Sequence, residues 1–158
     1  MTFNSVRHSI MQQLKELLKT MTKANGYETD IKANAVREWE PAAIDFQSQT
    51  IAPIDSDYIN IQDTQDAVDE TTIQQDEHIL TVDIEFYGTG FNAHLKMRKF
   101  AADLITFVGN NRGAISGIQD MELSGTDSAQ MFQNQKRIIV YKTELDIIYT
   151  TNTNEAYH

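Results

Sequence analysis

Apolar residues near the start of the chain recur every three or four positions: Val6, Ile10, Leu14, Leu17, Leu18 and Met21. That spacing puts them on one stripe of a helix. Arg7, Lys15, Lys19 and Lys23 fall on the other face, as a solvated basic surface. Asn4 or Ser5 can cap the start. Asn25 and Gly26 end the helix, because both tolerate the left-handed conformation of a C-terminal cap. Residues 27–40 predict an irregular or hairpin segment closing in a short strand, with Ala35, Val36 and Trp39 as its apolar residues. Pro41 punctuates it, and residues 42–56 read as a loop.

From there the period changes to two. Residues 58–62 alternate, with Ile59 and Ile61 on one side, and predict a short strand. Residues 78–87 alternate most clearly. Leu80, Val82, Ile84 and Phe86 face one way; Thr81, Asp83, Glu85 and Tyr87 face the other. Gly88, Thr89 and Gly90 turn the chain into a second helix over about residues 92–108. Met97, Phe100, Ala101, Leu104 and Val108 form its buried stripe, and Gly109, Asn110 and Asn111 stop it. Residues 115–123 predict a weaker strand interrupted by Gly117, and residues 125–135 a polar linker or hairpin loop. Residues 137–150 predict a long strand, with Ile139, Tyr141, Leu145, Ile147 and Tyr149 on one face. A polar tail, 151–158, follows.

The order is helix, strands, helix, strands. Alternating strands imply an antiparallel or mixed sheet with one face buried. Two amphipathic helices packed on that face make an α+β domain of two layers. The other face, with Asp83, Glu85, Glu144 and Asp146, is expected to be wet or to meet another subunit. At 158 residues one domain over 1–150 is expected, with no internal repeat.

Charge sharpens the picture. Between Arg37 and Lys96 there is no lysine or arginine, while thirteen acids lie in that interval; all thirteen basic residues lie outside it. The formal net charge is -10. A surface of that sign repels nucleic acid and anionic membrane. Residues 63–77 hold six acids (Asp63, Asp66, Asp69, Glu70, Asp76 and Glu77) and almost no apolar content. They are expected to form a mobile acidic loop or a long hairpin tip. The chain has no cysteine, which excludes disulfides and thiolate chemistry. Residues 1–10 carry no signal-like apolar run, and no stretch is long enough to span a bilayer. A cytoplasmic protein without an anchor is the expectation.

Candidate chemistry is sparse. Gly88-Thr89-Gly90-Phe91-Asn92-Ala93 fits G-x-G-x-x-A between a strand and a helix, where a dinucleotide fingerprint belongs. The strand before it alternates with Asp83 and Glu85, no acid ends a strand about 20 residues on, and Phe91 is bulky. A glycine turn without a cofactor is expected. Asp55, Asp57, Asn60 and Asp63 are nearby oxygen donors but lack the glycine and ligand pattern of a calcium loop. His8, His78, His94 and His158 show no metal-ligand spacing. No nucleophile–base pair stands out. Lys136 with Arg137, and Arg98 with Lys99, are the tight basic pairs, and neither interleaves with aromatics as a nucleic-acid platform would. Tyr87, Tyr141 and Tyr149 are expected in the sheet core. No catalytic, cofactor-binding or metal-binding residue is assigned.

The run Ala24-Asn25-Gly26-Tyr27-Glu28-Thr29-Asp30-Ile31-Lys32-Ala33-Asn34-Ala35-Val36 follows the first amphipathic helix. It resembles the opening of the tail terminator, or tail completion, proteins of long-tailed bacteriophages. In that family a strand ending near a glycine feeds a second helix, and a long closing strand ends in a sequence like Ile147-Ile148-Tyr149-Thr150-Thr151. The segment 41–54 is longer than is common there, and 63–77 is more polar. The resemblance implies a non-enzymatic virion protein at the head-proximal end of the tail, assembled in the host cytoplasm. It implies a ring, typically a hexamer, that caps the tail tube, stops its polymerisation and presents a surface to head-completion or neck proteins. Its partners would be further copies of itself, the major tail tube protein and a neck protein, with DNA passing through the lumen and no membrane.

Two readings of the charge gap then stand side by side, simple solubility and a role in the ring's lumen. Acids lining a lumen let DNA pass without gripping it. Part of residues 38–85 is expected to face the lumen or an interface, with Asp63, Asp66, Asp69, Glu70, Asp76 and Glu77 as the candidates. Lys15, Lys19 and Lys23 lining the channel instead would contradict this. Residues 125–135 and 151–158 are further interface candidates. The rival readings are another neck or head–tail joining protein, and, third, a small acidic enzyme or metal-binding domain.

Overall fold

Helix α1 (Val6–Leu18) starts where the sequence predicts. Ser5 is its N-cap, and the Ser5 hydroxyl accepts from the His8 N–H at 3.0 Å. Ile10, Met11, Leu14 and Leu18 are buried along one stripe. The helix ends at Leu18, earlier than Asn25 and Gly26. Thr20 turns its hydroxyl back to the Leu17 carbonyl at 2.6 Å, and such local bonds compete with the helical ladder. A single 3-10 turn, Lys23–Asn25, follows, and Gly26 then takes the left-handed conformation with φ 88°.

The protein is represented by a computed structural model describing residues 5–32, 35–40, 44–45, 50–51, 56–72, 75–133 and 136–152. Strands β1 (Val36–Glu38), β2 (Ile44–Asp45), β3 (Thr50–Ile51), β4 (Tyr58–Thr71) and β5 (Gln75–Thr89) precede helix α2 (Ala93–Asn111). Strands β6 (Ile118–Gln133) and β7 (Lys136–Asn152) close the fold. The main sheet has the order β1-β4-β5-β7-β6, and β2 pairs with β3 separately. β1 is parallel to β4, and the other pairs of the main sheet are antiparallel. The sheet is therefore mixed, and the fold class is the expected α+β.

Both helices cover one sheet face. Ile10, Leu14 and Leu18 of α1 and Phe100, Leu104 and Phe107 of α2 share one core with Ile59, Ile61, Leu80, Val82, Ile84, Leu145 and Ile147. Each such side chain contributes about 2 kcal/mol by leaving water. Phe100 stacks on Phe86 at 4.7 Å and meets Tyr141 edge-on at 6.0 Å, which fixes α2 against β5 and β7.

The segment 42–56, expected as a loop, holds the short paired strands β2 and β3, and two longer segments also differ from expectation. Residues 63–71 and 75–77 are strand, so the acidic segment takes the hairpin form of its two expected alternatives and is not a loop. Residues 125–133 are also strand, where a linker or hairpin loop was predicted. Polarity misleads in both places. Pairing satisfies the backbone whatever the side chains are: residues 63–71 bond along β5 and residues 125–133 along β7, and these strands extend beyond the helices that demand apolar residues. Bulges between Asp63 and Gln65, between Val68 and Glu70, and at Gly125 (φ 57°) shift the register along the way. Of the tail, Thr151 and Asn152 belong to β7, and the rest lies outside the described residues.

Candidate functional site

The sheet face away from the helices is built in rows across the strands. Asn60, Glu85, Lys142 and Asp127 form one row; Gln62, Asp83, Glu144 and Ser124 form the next. Thr81, Asp146 and Glu122 follow, then Ala67, Ile79, Ile148 and Asp120, then Glu70, Glu77 and Thr150. Asp83, Glu85, Glu144 and Asp146 thus share this outer face as the alternation requires. Acids dominate it. Lys142 is a base on it, and Arg37 in the neighbouring β1 is another.

Few of these charges are paired. Lys142 reaches Asp83 at 3.1 Å, and that bond to Asp83 is the first cause holding the lysine's pKa above its ordinary value. Asp146 accepts from Thr81 at 3.0 Å and from Ser124 at 3.1 Å. Glu70 stands directly opposite Glu77, a like-charge pair that destabilises the isolated sheet. At the other end, Tyr58 stacks on Tyr87 at 4.6 Å, with the Arg37 guanidinium 4.3 Å from the Tyr58 ring centroid. Tyr87 therefore sits on the outer face, while Tyr141 and Tyr149 face the helices.

The six acids singled out from the sequence divide. Asp63 pairs with Arg7 of α1 and accepts the Trp39 indole N–H at 2.8 Å. Arg7 is thus drawn to the sheet, while Lys19 pairs with Glu16 and Lys15 lies 3.7 Å from Glu38. Asp66 lies 3.1 Å from His78 Nδ1 and accepts the Tyr149 hydroxyl at 2.5 Å. His78 is buried, stacks on Tyr149 at 4.7 Å, and its Nε2 lies 2.9 Å from Thr151 Oγ1. Asp63 and Asp66 are therefore engaged inside the molecule. Asp69 and Glu70 are exposed, and Asp76 and Glu77 are partly buried near the far end of the hairpin.

The glycine motif is also accounted for within the chain. Gly88 lies in β5, where an added Cβ would stand 3.0 Å from the Phe86 ring and 3.2 Å from Ile139. The Thr89 N–H donates to Asp57 at 2.9 Å, and Lys96 pairs with the same carboxylate at 2.9 Å. A carboxylate of the chain thus lies beside the start of α2, where the fingerprint would place a phosphate. Asn60 is on the outer face, bonded to the Glu40 backbone, while Asp63 is on the helix face, so these two oxygen donors do not converge; Asp55 lies outside the described residues. His94 lies against Arg137 at 3.1 Å. No group of three His, Asp or Glu among the described residues could hold a metal ion.

The segment that carries the family resemblance ties the two layers together. Asp103 of α2 accepts from the backbone N–H of Glu28 at 3.1 Å and of Thr29 at 2.6 Å, and also from the Thr29 hydroxyl. Asp30 accepts the Lys23 N–H at 3.2 Å. Ile31 and Val36 are buried in the core.

One surface was not foreseen. Phe91, Leu95, Arg98, Ala102, Ile105 and Gly109 lie at spacings of four and three, on the outer side of α2. Phe91 is 91% exposed, Leu95 42% and Ile105 67%. The sequence held the signal, a second apolar series offset from the buried one. The inner stripe alone satisfied the amphipathic pattern, so the outer one passed unmarked.

No protein-family model matches this chain. No curated protein matches it. Among solved structures, a chain of one titled "Virion of native gene transfer agent (GTA) particle" is similar, with a TM-score of 0.43 and 13% identity. The match covers 91% of this chain and 95% of that one. A likeness at that level carries no argument about activity or partners.

Proposed function

We propose that this chain is a structural virion protein of the tail terminator type, forming a ring that caps the tail tube and offers its other side to the head. The observation that carries the reading is the place of the resembling segment in the fold. Residues 24–36 leave α1, bind α2 through Asp103 and enter β1. β5 then ends beside Gly88 and Gly90 and feeds α2, and the long β7 closes the domain through Ile147 to Thr151. That is the element order the resemblance implies.

The electrostatics support a structural role. The polar groups that converge in the interior, Asp66 with His78 and Tyr149, and Asp103 with Thr29, are bonded to one another across elements. The outer sheet face is mainly acidic and the outward side of α2 carries Arg98 and Lys99, which gives each subunit two unlike sides. A tube grows head to tail through an open-ended interface. A terminator must match the tube end on one side and fail to repeat that surface on the other, and a closed ring with unlike faces does so. An acidic face toward the lumen would let DNA pass unretained.

Electron microscopy and native mass measurement of the purified protein, alone and with its tube protein, test this reading. Annular particles, free or at tube ends, are expected. A chain that stays monomeric and leaves tube ends bare contradicts it. A particle that binds the head vertex and leaves tube growth unchanged would favour the head–tail joining alternative.

A further inference from the structure

The outer stripe of α2 and the outer face of the sheet lie on opposite layers of the same molecule. They differ in charge as well as in position. Around the stripe of Phe91, Leu95, Ala102 and Ile105 the charged residues are Arg98 and Lys99; Arg112, just past the helix, lies 3.8 Å from Asp120 of the same chain. The one acid of α2, Asp103, is buried and turned to the backbone of Glu28 and Thr29. Among the described residues no ion pair engages Arg98 or Lys99. The outward surface of this helix is therefore apolar with a basic border.

The sheet holds the complement. Ala67, Ile79 and Ile148 form a partly exposed apolar row across β4, β5 and β7. Acids border it on both sides: Glu70 and Glu77 toward the hairpin end, and Glu122 and Asp146 in the next row, while Asp120 at the row's end is engaged by Arg112 of the same chain. Among the described residues no base pairs with Glu70 or Glu77, and a base from outside would relieve the repulsion between them. An apolar patch rimmed by one sign of charge selects an apolar patch rimmed by the other, and penalises wrong partners.

We propose that the outer stripe of α2 docks on the Ala67–Ile79–Ile148 row of a second copy of this chain, with Arg98 and Lys99 meeting the Glu70, Glu77 and Glu122 border. Because the two patches are different surfaces, the contact is head to tail, and each bound copy still offers one free patch of each kind. Such a contact closes into a ring when the rotation per subunit divides a full turn. In that closure the inference rests on the ring reading above and deepens it. Part of the acidic hairpin then faces a neighbouring subunit instead of the lumen.

The chain has no native cysteine, so cysteine pairs report the contact without background. Ile105→Cys and Ile148→Cys are made singly, mixed at high concentration and oxidised. The mixture is expected to give a disulfide dimer containing one of each, while either variant alone gives roughly tenfold less. A chain carrying both substitutions gives a ladder of multimers. Reversing Arg98 and Lys99 to glutamate in the Ile105→Cys variant lowers the dimer yield, and Glu70→Lys with Glu77→Lys in the Ile148→Cys variant restores it. Absence of the mixed dimer overturns the inference, as does equal yield from either variant alone. Annular particles without the mixed dimer would remove this interface and leave the terminator reading standing. A mixed dimer from a chain that leaves tube growth unchanged would do the reverse.

Discussion

Tyr149 in β7 donates its hydroxyl to Asp66 in β4 at 2.5 Å, reaching past the strand that separates them. His78 of that middle strand, β5, stacks on Tyr149 and bonds the same carboxylate at 3.1 Å. One acid thus pins three strands where the hairpin extends toward its acidic end. Asp66→Ala would leave a buried imidazole and a buried phenol each without that partner. The substitution should lower unfolding stability by about 2–4 kcal/mol. Urea titration measures this, and hydrogen exchange should rise in β4 and β5 beyond Asp63 while α2 stays protected. An unchanged midpoint would mean that the network contributes nothing.

Asp103→Ala tests the tie between the resembling segment and α2. The substitution removes the acceptor for two backbone N–H groups and the Thr29 hydroxyl. A loss of about 2 kcal/mol is expected, with amides of residues 27–31 exchanging faster. Unchanged exchange in that segment would show that its conformation is held by other contacts.

At position 88 the sign of the effect is informative. In an open strand, alanine is more favourable than glycine by roughly 0.5–1 kcal/mol. Here the new methyl group meets the Phe86 ring and Ile139, so Gly88→Ala should destabilise by about 1–3 kcal/mol. Thermal or urea unfolding decides it. A stabilised variant would mean that the packing around Gly88 is loose.

Alkaline pH should weaken the fold. Burial pushes the Tyr58 phenol up to about 12 from its ordinary 10.0, although Arg37 opposes the shift. Tyr149 is raised too, by burial first and then by Asp66. Both phenols hold their protons more tightly folded than unfolded. Their contribution is complete below the ordinary value and is lost as the pH rises from there through the folded values. The urea midpoint should therefore be lower near pH 11 than near pH 9, and Tyr58→Phe should remove part of that fall. A fall of equal size in Tyr58→Phe would exclude Tyr58 as a cause.

Much of the fold could be read from the spacing of apolar residues. α1, α2, the alternation of β5 and β7, and the shared face of Asp83, Glu85, Glu144 and Asp146 all follow from the periods of 3.6 and 2. The acidic stretch 63–77 was harder. Its strand character comes from pairing with β5 and β7, which no local pattern reveals. The division of its acids was hidden for the same reason. Asp63 and Asp66 meet Arg7, His78 and Tyr149 only when distant segments come together. The outer stripe of α2 was present in the sequence but masked by the stronger inner stripe. The glycine motif after β5 is a different case. A motif of suitable spacing is filled by the chain's own carboxylate, and only the folded arrangement makes that visible.

The central claim is that this chain ends tail-tube growth as a ring, and polymerisation of the tube protein in its presence tests that most directly. Tubes should stop lengthening, each carrying an annular density of this protein at one end. Tubes that continue to grow at an unchanged rate, with this protein absent from their ends, would contradict the account.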